Sequence, residues 1–247
     1  MRLSSFLIAV SLVAPVAAGA CESRSGDRTR ALVELYTSEG CSSCPPADRW
    51  LSALSARADP RVVPVAFHVT YWDELGWRDR FADSRYTARQ HDLAEAHGAS
   101  FVYTPQVTIG GGDSRRWSDA GAVEQAIASI DRERAAAHIT LASAPASAQG
   151  IAGTASLDLA ARAKDVGLFV VLTQDGLSSR VTSGENRGDH LQHNAVAREM
   201  ASAAGGRVEF RFSSRPDWDL SRMSLVAFAQ DQRTGRVLQA LSMPVCR

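Results

Sequence analysis

Residues 31–46 read ALVELYTSEGCSSCPP: an apolar run, a short turn, two cysteines separated by two serines, then two prolines. Residues 31–37 alternate and are rich in β-formers, and a helical pattern runs from about Pro46 to Ala58, so the spacing predicts strand, turn, helix. Cys41 and Cys44 then fall at the mouth of a helix. Unsatisfied backbone N–H groups and the positive end of the helix dipole favour a thiolate there, lowering a thiol from about 8.5 toward about 7 or below. The thiolate is the attacking species in disulfide exchange, and with Ser42 and Ser43 between them the second sulfur can reach back to resolve a mixed disulfide. The same pair also fits a permanent disulfide or half of a metal site.

Outward from this stretch, residues 61–69 (RVVPVAFHV) form an almost continuous apolar run, as in a strand buried on both faces, with Pro64 its one blemish. Residues 77–97 are charged and helical in character and stop at Gly98. A strand over 101–109, a turn over 110–113 (GGGD) and a helix over 120–137, capped by Asp119 or Ser118, complete a half in which β and α alternate. After His138 the texture changes. A small-residue stretch over 142–153 gives way to short β-like runs at 155–159, 167–173, 208–213 and 225–230, and residues 231–236 (DQRTGR) read as a hairpin loop. Residues 190–204 fit helix or strand equally. The expected fold class is α/β, with an α/β domain over 21–138 followed by a small C-terminal β-sandwich over 139–247.

The first 20 residues read as an export signal: Arg2, an apolar stretch from Phe6 to Val13, and Ala18-Gly19-Ala20 as the cleavage site. Ser11 and Pro15 interrupt a stretch already too short to span a bilayer, and no later segment is long and apolar enough, so no transmembrane segment is expected in the mature chain. Cys21 directly after the cleavage site raises lipid anchoring as the lesser alternative, since Ala18 stands where lipoprotein signals carry a large aliphatic residue. Lys plus Arg and Asp plus Glu both number 27, so the formal charge is zero and no like-charge run marks a nucleic-acid surface. Four cysteines sent to an oxidising compartment are expected paired or redox-active. Cys21 and Cys246, at the two ends, suit a tethering disulfide whose long loop gives roughly 5 kcal/mol in the chain-entropy model.

Other residues join the candidate site. Glu34, on the strand before the dithiol, is positioned to relay a proton to the resolving sulfur, or else faces solvent. His68, Tyr71, Trp72 and Asp73 follow the second strand at the carboxyl edge where open α/β sheets place their sites, as a substrate groove or as packing aromatics and a helix cap. A structural zinc site lacks a second ligand pair. Cu(I) held by both sulfurs and His68 is the main alternative chemistry. No cofactor is otherwise expected.

The segments LVELYTSEGCSSCPPAD (32–48), VAFHVTYWDELGWRDRF (65–81) and VYTPQVTIGG (102–111) together resemble a family of exported proteobacterial CxxC proteins of unknown function with a thioredoxin-like fold. The likeness is close over about 32–137 and looser at GEN (184–186) and VAFAQDQRTGRVLQA (226–240). It implies a periplasmic or secreted location and a cis Thr104–Pro105 bond facing the dithiol. The context of the two cysteines points to exchange with protein thiols or disulfides in which Cys41 attacks, Cys44 resolves and Pro105 with Thr104 positions an extended substrate, with an inactive thioredoxin scaffold used for binding as a further alternative. Against thioredoxin itself, Gly40 replaces a tryptophan. Pro45-Pro46 follows the dithiol, which predicts a helix starting one residue late with Cys44 less embedded in its first turn. The C-terminal half has no thioredoxin counterpart and is free to bind a partner, occlude the dithiol or stabilise the fold.

Overall fold

The computed structural model describes residues 19–159 and 165–247, so the export-signal reading of residues 1–18 lies outside the described residues. Strand β1 (Cys21–Arg24) leads to β2 (Ala31–Thr37), α1 (Pro45–Ala56), β3 (Val62–His68), α2 (Ser84–Ala96), β4 (Gln106–Ile109), β5 (Gly112–Asp113) and α3 (Ala120–Asp131). From there the chain is β: β6 (Ala137–Ser143), β7 (Ile151–Leu159), β8 (Val166–Gln174), β9 (Leu177–Arg180), β10 (His190–His193), β11 (Val196–Ala204), β12 (Arg207–Phe212), β13 (Met223–Asp231) and β14 (Val237–Pro244). The protein is mixed α/β and sheet-rich.

The central sheet has eight strands in the order β14-β13-β8-β11-β3-β2-β4-β5, and a four-stranded sheet runs β1-β6-β7-β12. Strands β9 and β10 pair only with each other, and no sheet closes into a barrel among the described residues. All seven residues of β2 are buried because helices cover both faces of the sheet there. Val33, Leu35 and Val107 pack on Leu51 of α1 and Ile127 of α3, while Leu32, Tyr36 and Phe67 on the opposite face pack on Tyr86 and Leu93 of α2. Farther along, Leu168, Leu172, Leu225 and Ala227 of the central sheet share a third core with Ile139, Ile151 and Phe210 of the four-stranded sheet. The boundary drawn at 138/139 falls inside β6, and residues from both sides of it build the central sheet.

Two local expectations need correction, and one left open is decided. The helix expected over 77–97 begins only at Ser84, because Asp79 accepts from the Phe81 N–H at 2.9 Å and Asp83 caps α2 by accepting from Arg85 N–H at 2.8 Å. Side-chain acceptors thus turn residues 77–83 away from helix. Residues 190–204 are strand, divided by Ala195 at φ +55°. Pro45 does not delay α1: Cys44 is its N-cap with helical angles (φ −79°, ψ −35°), and Pro45 takes the first helical position, where its missing N–H has no partner to lose. Pro64 is tolerated inside β3 because β3 meets β11 at the single pair Val196 and Ala66, leaving no long ladder on that flank to interrupt.

Candidate functional site

Strand β2 delivers the chain to a tight corner in which Cys41 N–H donates to Ser38 O at 3.2 Å and Gly40 N–H to Ser38 Oγ at 3.1 Å. Cys44 N–H donates to Cys41 O at 3.2 Å, and the Cys44 carbonyl accepts from Ala47 and Asp48 as the first turn of α1. Cys41 and Cys44 are disulfide-bonded with Cα atoms 5.4 Å apart. Both are fully buried, although Ser42 and Ser43 are exposed. A side chain at Gly40 would press on Trp72, since a Cβ there lies 3.1 Å from Trp72 Cβ, which gives the departure from tryptophan a steric cause.

Trp72 links this corner to the next element. Its Nε1 donates to Thr104 Oγ1 at 2.8 Å, and the Thr104–Pro105 bond is cis. The dithiol loop, Trp72, Thr104 and Pro105 are thereby brought together. Tyr71 is partly exposed and donates to Gln90 Oε1 at 3.1 Å, with its hydroxyl pushed up to about 12 by burial. Asp73 accepts from Asp79 N–H at 3.1 Å, and burial raises its carboxyl.

His68 and Glu34 are placed differently. His68 is fully buried and does not line a groove: its Nδ1 lies 2.6 Å from Asp79 Oδ2, and its Nε2 is buried without a partner. Burial alone would lower His68, but the Asp79 carboxylate, with Asp48 and Glu39, outweighs it and the net shift is upward. Burial would likewise raise Asp79, and His68 reverses it to a net lowering. Glu34 lies with Tyr36 on the α2 face, opposite α1. Its carboxylate accepts from Arg89 Nε at 2.8 Å, Thr108 Oγ1 at 3.0 Å and Tyr36 OH at 3.2 Å, and is not brought to the dithiol. Among the described residues, no three His, Cys, Asp or Glu side chains are grouped as metal ligands.

Several residues that sequence reasoning missed surround the corner. Glu39 is fully buried, accepts from Trp77 Nε1 at 2.9 Å and has His193 Nε2 at 3.2 Å. Burial pushes Glu39 up, and its hydrogen bonds, led by His193, bring it net below the ordinary value. Asp48, one helical turn beyond Cys44, is buried and its carboxyl is raised by that burial. It lines a cavity of about 120 Å³ with Pro45, Arg49, Leu191 and His193. Asn186 Nδ2 donates to Glu39 O at 2.9 Å and Cys41 O at 3.0 Å, and Glu185 Oε2 accepts from Ser42 N–H at 3.1 Å. Both residues belong to the GEN tripeptide, which the sequence marks only as a loose part of the family likeness.

Sheet and corner together define a mixed α/β, sheet-rich protein with a disulfide at a strand-to-helix turn. The chain belongs to the family described as "Protein of unknown function (DUF1223)", whose model matches residues 32–230. The crystal structure of protein AGR_C_4864 from Agrobacterium tumefaciens is similar in fold, with a TM-score of 0.63 at 22% identity, covering 89% of this chain and 96% of that one. A domain of the outer membrane lipoprotein Omp28 from Porphyromonas gingivalis aligns over 45% of this chain and 89% of that one at 15% identity, with a TM-score of 0.28 that is too low to carry an argument. A comparison with curated proteins returns no match.

Proposed function

We propose that this is an exported protein whose first half is a thioredoxin-like domain, and that it exchanges thiols and disulfides through Cys41 and Cys44. The observation that carries the reading is the dithiol at the start of α1, linked through Trp72 to the cis Thr104–Pro105 bond. Parallel β2 and β3 joined through α1, followed by the antiparallel β4–β5 pair and α3, support the thioredoxin-like assignment. The four-stranded sheet packed on β8, β13 and β14 supports a C-terminal sandwich. Export is supported by the two disulfides, which persist in oxidising compartments. Among the described residues no helix is long and apolar enough to cross a membrane.

In the exchange, a partner thiolate attacks Cys41 Sγ, the Cys41–Cys44 bond breaks, and Cys44 leaves as a thiolate that takes up a proton. A second partner thiolate then displaces Cys41, so the partner is oxidised by two electrons and the dithiol is reduced; the reverse sequence reduces a partner disulfide. Thr104 and Pro105 position the extended partner. Cys44→Ser removes the resolving sulfur, so the exported variant is expected to accumulate covalent partner adducts on Cys41 that are released by reductant. Their complete absence in non-reducing mass spectrometry overturns the reading.

A further inference from the structure

A buried disulfide cannot meet another molecule until something moves. What lies across this one comes from the other half of the chain. The β9–β10 hairpin and its connecting residues 181–189 bring Asn186 to the carbonyls of Glu39 and Cys41, and Glu185 to the Ser42 N–H. Ser183 Oγ donates to Gly76 O at 2.6 Å, and Arg80 Nη2 donates to Ser178 O at 2.7 Å. A Cβ on Gly184 would lie 3.0 Å from Trp77 Cβ, so the tip sits close against the first half. The contacts of Ser183, Glu185 and Arg80 lie at the surface and exchange for water or for another chain at modest net cost, whereas buried Asn186 and the buried His193–Glu39 contact hold the hairpin closed. Val181 and Leu191 are the buried apolar anchors, which make the closed position the resting one.

The hairpin is also built to turn as a unit. Its strands pair with each other and with no other strand. Both of its roots carry left-handed residues, Gly176 at φ +69° and Ala195 at φ +55°. Each root is clasped by the other: Gly176 N–H donates to Asn194 Oδ1 at 2.8 Å, and Ala195 N–H to Asp175 Oδ1 at 2.7 Å. A left-handed alanine is a strained corner that persists only because its surroundings hold it.

We infer that the β9–β10 hairpin is a latch over the dithiol, and that Cys41 becomes reactive when the hairpin swings away about residues 175–176 and 194–195. The inference rests on the thiol-exchange reading for its purpose. It names the partner's chemistry: an extended polypeptide whose backbone carbonyl takes the Ser42 N–H from Glu185, and whose N–H groups take the Glu39 and Cys41 carbonyls from Asn186. A small thiol offers neither.

The test follows reduction of each disulfide of the full chain by dithiothreitol, using timed alkylation and mass spectrometry, in wild type, Glu185→Ala and Asn186→Ala. The Cys41–Cys44 bond is expected to be reduced about tenfold faster in Asn186→Ala, equivalent to about 1.4 kcal/mol, and less so in Glu185→Ala. Cys21–Cys246 serves as the internal reference and is expected to keep its rate. Unchanged Cys41–Cys44 rates in both variants overturn the latch, as does equal acceleration of both disulfides, which marks general loosening. The readout needs no physiological partner: a latch that opens in a chain that never forms adducts defeats the exchange reading alone, and adducts without any rate change defeat the latch alone.

Discussion

Two of the places where the second half of the chain meets the first have opposite character. In the interior, Arg89 of α2 bridges Glu34 of β2 and Gln230 of β13, with Nη1 2.9 Å from Gln230 Oε1 and its guanidinium 4.6 Å and 4.8 Å from the rings of Phe228 and Phe169. Both members of that ion pair are buried. At the dithiol corner the contact is a hairpin held by single hydrogen bonds, one of them accepted by exposed Glu185 and two given by buried Asn186, and by the buried His193–Glu39 contact. A charge pair sealed inside the core has no substitute partner when it parts, whereas the polar groups of a hairpin that swings outward meet water. The interior joint is therefore permanent and the corner joint is displaceable.

The largest effect expected from breaking this contrast is at the interior. Arg89→Met leaves Glu34 buried without its counter-charge and should lower stability by about 3–5 kcal/mol, read by urea denaturation, while the surviving folded protein keeps its wild-type rate of Cys41–Cys44 reduction. A loss below about 1 kcal/mol, the range of an exposed pair, would remove the distinction between the two joints.

A smaller effect is expected from pH, because the corner contains the His68–Asp79 pair. His68 is raised, so its contribution is full below its ordinary value of 6.5 and is lost as pH rises through the elevated folded value. Asp79 is lowered, so its contribution is present above its ordinary value of 3.8 and is lost as pH falls through the depressed one. Asp48, raised by burial, adds a loss with rising pH. Thermal unfolding midpoints should decline on the alkaline side in wild type and more gently in His68→Gln; identical slopes would assign the decline to other groups. The smallest change is Trp72→Phe, which keeps the Cβ against Gly40 but deletes the bond to Thr104. It should cost about 0.5–1.5 kcal/mol and accelerate dithiol reduction less than Asn186→Ala does.

The sequence was most legible where structure is local. Strands β2 and β3, helices α1 and α3, and the 231–236 loop follow from alternation, helical spacing and turn residues lying within a few positions of one another. The short strands β1 and β9 left no pattern, because four-residue elements rarely show a period. The joining of β11 to β3 at one residue pair is likewise invisible to any local window. In the site, the two cysteines announce themselves by spacing. Their surroundings do not: Asn186 and His193 reach Cys41 and Glu39 across 145 and 154 residues, a separation on which one sequence carries no information. Glu34 was misjudged for a different reason. It stands on the right strand, but strand parity turns it to the α2 face, where Arg89 takes it.

Cys21 and Cys246 are disulfide-bonded across 225 residues, with β1 paired along β6 beside them. The span between them is topologically a closed ring. A protease that cuts any single exposed loop within it yields two fragments that stay covalently joined and migrate as one species until reductant is added. Residues 21 and 246 also lie side by side, with Cα atoms 5.6 Å apart, so a circular permutant that joins them by a short linker and opens in a surface loop should preserve the fold.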